Sequence, residues 1–308
     1  MVFGPEGCGK TAWLKQSVVL LRELGFEVVY VNPINKEVFA EFSIADLRSK
    51  FLTLAEEALA QNALGRLAWL AFDIAKELIS ATRGGRIAVI VDDAFQILGV
   101  KESAIYVKAL LNLIEYPPEH YERIITIAAT SEGGLSRWEI GRHRWAWSSP
   151  MWNMPKEGFK QLYDQIPGEK PSFEEAWRIT GGNPAVLARL YEVSWDVDLV
   201  VRRLMEEKKL MPEFISRWRD LLEGAVKDPD ALWRSDVPEE LINELIIRNL
   251  ILYFMSDRDP RLCRYPPTTR ERPGAGDRQV RSLAVTTTQG GRKKGFRDFE
   301  VNYIIAIM

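Results

Sequence analysis

Two cysteines and two histidines in 308 residues leave too little material for a disulfide framework or a Cys/His metal centre. Cys8 lies inside a glycine-rich segment and Cys263 stands alone far downstream. His120 and His143 are isolated, so each is expected at the surface or at a strand edge. No run of about 18 apolar residues is present to span a membrane, and the amino terminus shows no charged segment followed by an apolar one of the secretory kind. These absences lead to the expectation of a cytoplasmic protein with no membrane partner. Charge of one sign is missing too: the formal net charge is −2, so no overall basic field favours nucleic acid, and such binding would need a local patch. The distribution is nevertheless uneven. From Asp257 onward 11 Lys and Arg accompany 6 Asp and Glu, against 30 and 37 before it. With 46% apolar and 27% charged residues, the composition is that of an ordinary globular chain long enough for two modest domains.

What the chain does contain is Gly4-Pro5-Glu6-Gly7-Cys8-Gly9-Lys10-Thr11, which fills G-x-x-x-x-G-K-[ST], the Walker A phosphate loop. Glycines let successive backbone N–H groups turn inward toward an anion, and the helix that follows adds the positive end of its dipole. Lys10 is then the residue for the β- and γ-phosphates, and Thr11 supplies a hydroxyl to Mg²⁺. The bland alternative is a chance glycine turn ahead of a helix.

Hydrophobic periodicity organises the rest. Leu14, Val18 and Leu21 predict a helix over 10–24, and Phe26 to Val31 a strand that Asn32-Pro33 ends. Two amphipathic helices follow, one on Leu47, Phe51, Leu54 and Ala58 and one on Leu64 to Leu78. Ile87 to Val91 is a continuous apolar run of the type buried on both faces of a sheet, and it ends in Asp92-Asp93. A helix over 102–115 and a third buried strand over 123–130 come next. Strands alternating with helices imply parallel βαβ units. Trp138, Trp145, Trp147 and Trp152 are expected to serve core or junction packing around a short strand near 143–147. Beyond Pro155 the β pattern stops. Helices are predicted at 156–165, 172–180, 184–193, 196–208, 212–225 and 237–248, with a short strand at Leu250 to Phe254.

The fold class expected is therefore α/β: a P-loop parallel sheet flanked by helices, then a helical lid and a winged-helix-like unit. The divisions are 1–153 for the core, 154–195 for the lid, 196–255 for the winged-helix-like unit, and 256–308 for a basic tail without helical or strand period. That tail reads as disordered, as a basic nucleic-acid arm, or as a segment altered by a one-base shift of frame between Asp277 and Gly290. Only Met1-Val2-Phe3 precede Gly4, so the first strand is expected to be truncated, through a late start or a gene fragment.

A phosphate loop needs a carboxylate partner, and the strand ending in Asp92-Asp93 has the shape of Walker B. Asp92 is assigned to Mg²⁺, held through a water, and Asp93 to orienting or deprotonating the attacking water. The competing reading makes Asp93 a helix cap. Thr130, ending the third strand with Ser131 behind it, would be a polar sensor between the two Walker motifs. Arg137, Arg142 and Arg144 follow, and Arg137 is the candidate arginine finger.

The order GPEGCGKT, IAVIVDDAF, IAATSEGGLSR and ITGGNPAVL resembles archaeal P-loop ATPases of the STAND group, relatives of AAA+ proteins and of origin-recognition-like ATPases, over Met1 to about Phe254. The resemblance implies ATP rather than GTP. It also implies that Pro184, in Gly181-Gly182-Asn183-Pro184, lies at the base of the lid near the adenine and reports nucleotide state. The plainer reading has Asn183 as a helix cap and Pro184 at the first helical position, and both can hold. The functional expectation is a slow, partner-regulated, Mg²⁺-dependent ATPase that switches between open and closed lid. The alternative is a nucleotide-gated adaptor for DNA or protein, acting through the C-terminal part, with little turnover; self-association and a relic without activity remain open.

Overall fold

Residues with alternating environments along two central strands explain the sheet. In the computed structural model, which describes residues 1–82, 85–131 and 146–252, β2 (Phe26–Asn32) and β4 (Arg86–Asp92) lie side by side and parallel, with Tyr30 opposite Ile90 and Val31 opposite Val91. Successive side chains of a strand point to opposite faces. Val29, Val31, Ile87, Val89 and Val91 therefore join one core with helices α2 (Ala45–Ala60), α3 (Leu64–Thr82) and α4 (Ala94–Glu115). Val28, Tyr30, Ala88 and Ile90 join another, closed by Leu14, Val18 and Leu21 of α1 (Lys10–Glu23). Both faces are covered, which is why these strands read as unbroken apolar runs.

With β1 (Val2–Phe3), β3 (Glu37–Glu41), β5 (Arg123–Thr130) and β6 (Ser149–Pro150), the strand order is β3-β2-β4-β5-β1-β6. β1 pairs parallel to β5, with Val2 opposite Ala129 and Phe3 opposite Thr130. β5 thus separates the strand that leads into the glycine loop from the strand that carries Asp92-Asp93. By chain contacts the molecule divides into two units: Met1–Phe3 with Lys10–Ser149, and Gly4–Gly9 with the chain from Pro150. The glycine loop is thereby grouped with the second unit, and Lys10 with the first.

Several sequence expectations are corrected. β3 was not foreseen; it hairpins back antiparallel on β2 after a turn in which Lys36 takes a positive φ of 55°. Helix α4 starts at Ala94, eight residues before the predicted 102, because Ala94, Phe95 and Leu98 bury an extra apolar turn and Gly99, at φ 69° and ψ 174°, kinks the chain there. The last strand is at 149–150; Ala146 to Ser148 are not extended into the sheet, and 143–145 lie outside the described residues. Trp147 is 80% exposed, so it does not pack as expected; Trp138, Trp145 and His143 lie outside the described residues. Leu250 and Ile251 form a bend rather than a strand, their side chains buried in the helical core; Leu252 is buried but not in a strand, and 253 and 254 lie outside the described residues.

The second unit is helical among its described residues. It contains α5 (Lys156–Asp164), α6 (Phe173–Thr180), α7 (Pro184–Glu192), α8 (Val197–Glu207), α9 (Pro212–Lys227), a 3₁₀ turn (Pro229–Trp233) and α10 (Glu239–Ile247). Local chemistry sets the starts: Ser172 Oγ accepts from Glu175 N, and Asp196 Oδ1 accepts from Leu199 N, as N-caps do. Phe159, Tyr163, Ala176 and Leu187 form one cluster, while Leu190, Leu204, Leu222, Leu241 and Leu245 belong to a larger one. The tail from 256 lies outside the described residues. No described helix is long and apolar enough to cross a membrane.

Phe51 is fully buried where α2 meets the sheet core, whereas Val19 on α1 is 55% exposed. Phe51→Ala is expected to cost about 3–5 kcal/mol and Val19→Ala no more than about 0.5 kcal/mol, read from urea unfolding midpoints.

Candidate functional site

The carboxyl ends of parallel strands are where open α/β sheets present chemistry, and four polar residues stand there in the first unit: Asn32 ends β2, Asp92 ends β4, Thr130 ends β5 and Asp93 follows Asp92. Asp92 is completely buried. Its Oδ2 accepts from Thr11 Oγ1 at 2.7 Å, Asn32 Nδ2 at 2.9 Å and the Tyr30 hydroxyl at 3.1 Å. Its Oδ1 is also buried yet has no hydrogen-bond partner among the described residues. Buried carboxylate oxygens are ordinarily satisfied, so an unpaired one beside a threonine hydroxyl fits a hard cation that takes oxygen donors. Burial, and then the charge of Asp92, push the Tyr30 phenol far above its usual range, which keeps it a donor. No cluster of three or more His, Cys, Asp or Glu able to hold a metal by itself occurs among the described residues.

Asp93 occupies the N-cap position of α4 but does not cap it. Its backbone is left-handed (φ 52°, ψ 21°) and its side chain makes no bond to the helix start. Instead Oδ1 accepts from Ser131 N at 3.2 Å and Ser131 Oγ at 3.1 Å, and Ser131 Oγ accepts from Gln96 Nε2 at 2.8 Å. Aspartate is among the non-glycine residues that adopt positive φ most readily. Burial, followed by the neighbouring Asp92 charge, raises the Asp93 carboxyl above its ordinary value, while Lys10 and the Ser131 bonds oppose the shift. Lys10 is itself 5% exposed and Thr130 fully buried. Asp93 is thus a largely desolvated carboxylate held at Oδ1 by Ser131.

In the second unit, the loop Gly4–Gly9 is held by the segment Gly181-Gly182-Asn183-Pro184. Asn183 caps α7, its Oδ1 accepting from Ala185 N at 3.0 Å and Val186 N at 3.2 Å, with Pro184 at the first helical turn. Its Nδ2 donates to Glu6 O at 2.9 Å and to Asn153 Oδ1 at 3.1 Å. Ala185 N donates to Gly7 O at 3.4 Å. Gly7 has φ 76°, and a Cβ there would lie 2.5 Å from the Ala185 Cβ and 2.8 Å from Asn183 Oδ1, so only glycine fits. Cys8 is buried with Sγ directed at Met151 O. On the outer side of the loop, Glu6 pairs with Lys208 Nζ at 2.5 Å, beside a cavity of about 270 Å³ that Pro5, Glu6, Gly7, Arg189 and Leu250 help to line.

Of the residues singled out in the sequence, the first unit brings together Lys10, Thr11, Asp92, Asp93 and Thr130. The second holds Gly4, Pro5, Glu6, Gly7, Cys8, Gly9 and Pro184. Arg137, Arg142 and Arg144 lie outside the described residues. Tyr30, Asn32 and Gln96 were not singled out as site residues, and Ser131, named beside Thr130 for the sensor, is the hydroxyl that meets Asp93. Only the register of β2 against β4 could have pointed to Tyr30 and Asn32, since that register sets the end of one strand beside the end of the other.

A family model described as an ATPase domain predominantly from Archaea matches residues 1–190. No curated protein sequence matches the chain. Among solved structures the chain is similar to AMPPCP-bound DnaA from Aquifex aeolicus, with 14% identity and a TM-score of 0.36 over 80% of this chain and 75% of that one.

The raised Asp93 value has a definite stability sign. A carboxyl that binds its proton more tightly when folded stabilises the fold below its unfolded pKa, and that contribution is lost as pH rises through the higher folded value. Asp93→Asn, which mimics the protonated form and keeps an acceptor for Ser131, is expected to unfold at higher urea than the parent at pH 7. The gain should vanish as pH falls below the ordinary carboxylate range.

Proposed function

Because the chain belongs to the family of ATPase domains found predominantly in Archaea, we propose that it binds ATP with Mg²⁺ and hydrolyses it to drive a conformational switch. The observation that carries the reading is the division of labour between adjacent carboxylates. Asp92 is bonded by Thr11 and keeps one buried oxygen unpaired, whereas Asp93 is desolvated and aimed by Ser131. Gly4, Glu6, Gly7, Cys8 and Gly9 supply backbone N–H groups to the phosphates, Pro5 holds the turn of the loop between them, and Lys10 supplies a cation for the β- and γ-oxygens. Thr11 and Asp92 would hold Mg²⁺, which when bound neutralises charge on the phosphate oxygens.

Asp93 orients a water in line with the γ-phosphorus and takes its proton as the water oxygen bonds to phosphorus and the bond to the leaving ADP breaks. Its raised pKa suits a proton acceptor better than an ordinary surface carboxylate would. Thr130 contributes a hydroxyl at the same strand edge, and Arg137 charge stabilisation in cis or across a subunit contact. Pro184 reports nucleotide state at the base of a lid comprising 154–195, and residues 196–255 pass the switch to a DNA or protein partner. Membership of the STAND group, self-association and a cytoplasmic setting complete the proposal, and the capping of α7 by Asn183 while it bonds Glu6 O supports the coupling of loop to lid.

Phosphate release and binding of a fluorescent ATP analogue test the reading. Lys10→Ala and Gly7→Ala are expected to weaken binding at least about tenfold. Asp93→Asn is expected to bind normally and lose roughly 10²–10⁴ in turnover, the usual worth of a general base. Binding without phosphate release in the parent protein would favour the adaptor reading.

A further inference from the structure

Asp93-Ala94-Phe95-Gln96 has the form of a capping box, in which the residue before a helix bonds the helix start and a Gln or Glu three places on reaches back to its backbone N–H. Neither half of the box is made here. The Asp93 carboxylate makes no bond to the start of α4, and the Asp93 N–H is taken by Ala129 O of β5 at 3.0 Å. Both side chains turn to Ser131 instead.

The chemistry of these groups fixes the direction of the chain they form. Gln96 Nε2 can only donate, so at 2.8 Å it occupies a lone pair of Ser131 Oγ. An ionised carboxylate can only accept, so the single hydroxyl proton goes to Asp93 Oδ1 at 3.1 Å, beside the Ser131 N–H at 3.2 Å. Turning the amide over would set its oxygen against Ser131 Oγ and draw the proton away from the carboxylate, which is the stronger acceptor. Gln96 is exposed, whereas Phe95 and Leu98 beside it are buried, so packing in the core does not impose its orientation.

We propose that Gln96 is a positioning residue for hydrolysis: by donating to Ser131 it commits the serine hydroxyl to Asp93, and so holds that carboxylate ionised and in one orientation. The inference rests on the assignment of Asp93 as acceptor of the water's proton. Among the described residues, the charged groups acting on Asp93 are Asp92, which precedes it on β4 and opposes its ionised form, and Lys10 of α1, which favours it. Ser131 at the end of β5 adds neutral donors, one of them oriented by Gln96 of α4. Without Gln96 the hydroxyl is free to turn, and Asp93 keeps its proton to higher pH.

The test follows single-turnover phosphate release across the acid and neutral range, with the full chain in excess over ATP and Mg²⁺ present. Urea midpoints and affinity for a fluorescent ATP analogue serve as controls. Gln96→Leu is expected to fold and bind as the parent does and to release phosphate about two- to tenfold more slowly at neutral pH. The acid limb of its rate should move upward by about half to one pH unit, the worth of one hydrogen bond. Gln96→Glu, which puts an acceptor where a donor stood, should move that limb further. In a Ser131→Ala background Gln96→Leu should change neither rate nor limb, because its effect passes through the hydroxyl. A role confined to the stability of α4 would lower the urea midpoint and leave the acid limb in place. A folded Gln96→Leu protein with the parental rate and limb overturns the inference, as does equal slowing in the Ser131→Ala background. Gln96→Glu decides on the same readouts should Gln96→Leu fail to fold. A parent that releases no phosphate, or an Asp93→Asn protein that keeps the parental rate, overturns the assignment of Asp93 itself and the inference with it.

Discussion

A carboxylate without access to water is the constraint on which the first unit depends. Removing such a group from solvent costs several kcal/mol unless its oxygens are met by donors, and Asp92 meets three of them on Oδ2 alone. Those donors come from α1 and from β2, so the helix after the glycine loop and the strand beside β4 must both be in register for Asp92 to be tolerable. A shift of β2 by one residue would turn Tyr30 to the opposite face and move Asn32 out of line with Asp92. The apolar pattern of β2 and β4, which enforces the register through two covered faces, therefore also orients a polar site at their ends.

Asp93 shows the complementary principle. An aspartate directly before a helix would ordinarily spend its side chain on the helix's free N–H groups. Here the left-handed backbone turns it away, and Ser131 at the end of the neighbouring β5 receives it. The result is a largely desolvated carboxylate held by Ser131 and not by the helix it precedes. Gln96, in the first turn of α4, steadies the serine in turn.

Asn183 has a similar double role in the second unit. One oxygen caps α7 and the amide nitrogen holds the backbone of the phosphate loop, so a single side chain links the start of a helix to the shape of the loop. The plain reading of Asn183-Pro184 as a helix start is thus correct, and it coexists with contact to the loop. Gly7 marks the same junction from the other side, since the space a side chain would need is taken by Ala185 and Asn183.

Much of this was readable from residue order. Long apolar runs named β2, β4 and β5; helical spacing named the larger helices among the described residues; and the glycine-rich loop, Asp92-Asp93 and the glycine-asparagine-proline segment each announced themselves by local chemistry. What escaped did so for physical reasons. β3 is short and flanked by glutamates, so its strand character comes from pairing with β2 and not from its own composition. The first turns of α4 are separated from the rest by a glycine that local propensity reads as a break, and burial of Phe95 and Leu98 overrides it. Tyr30 and Asn32 lie some sixty residues from Asp92, and no spacing rule connects them. The sequence by itself determined which residue types form the glycine loop and stand at the ends of the central strands, because contiguous motifs carry them. Only the tertiary structure decided which oxygen of Asp92 stays unpaired and where Asp93 points, because both depend on donors delivered by strands whose register is set by packing across the whole sheet.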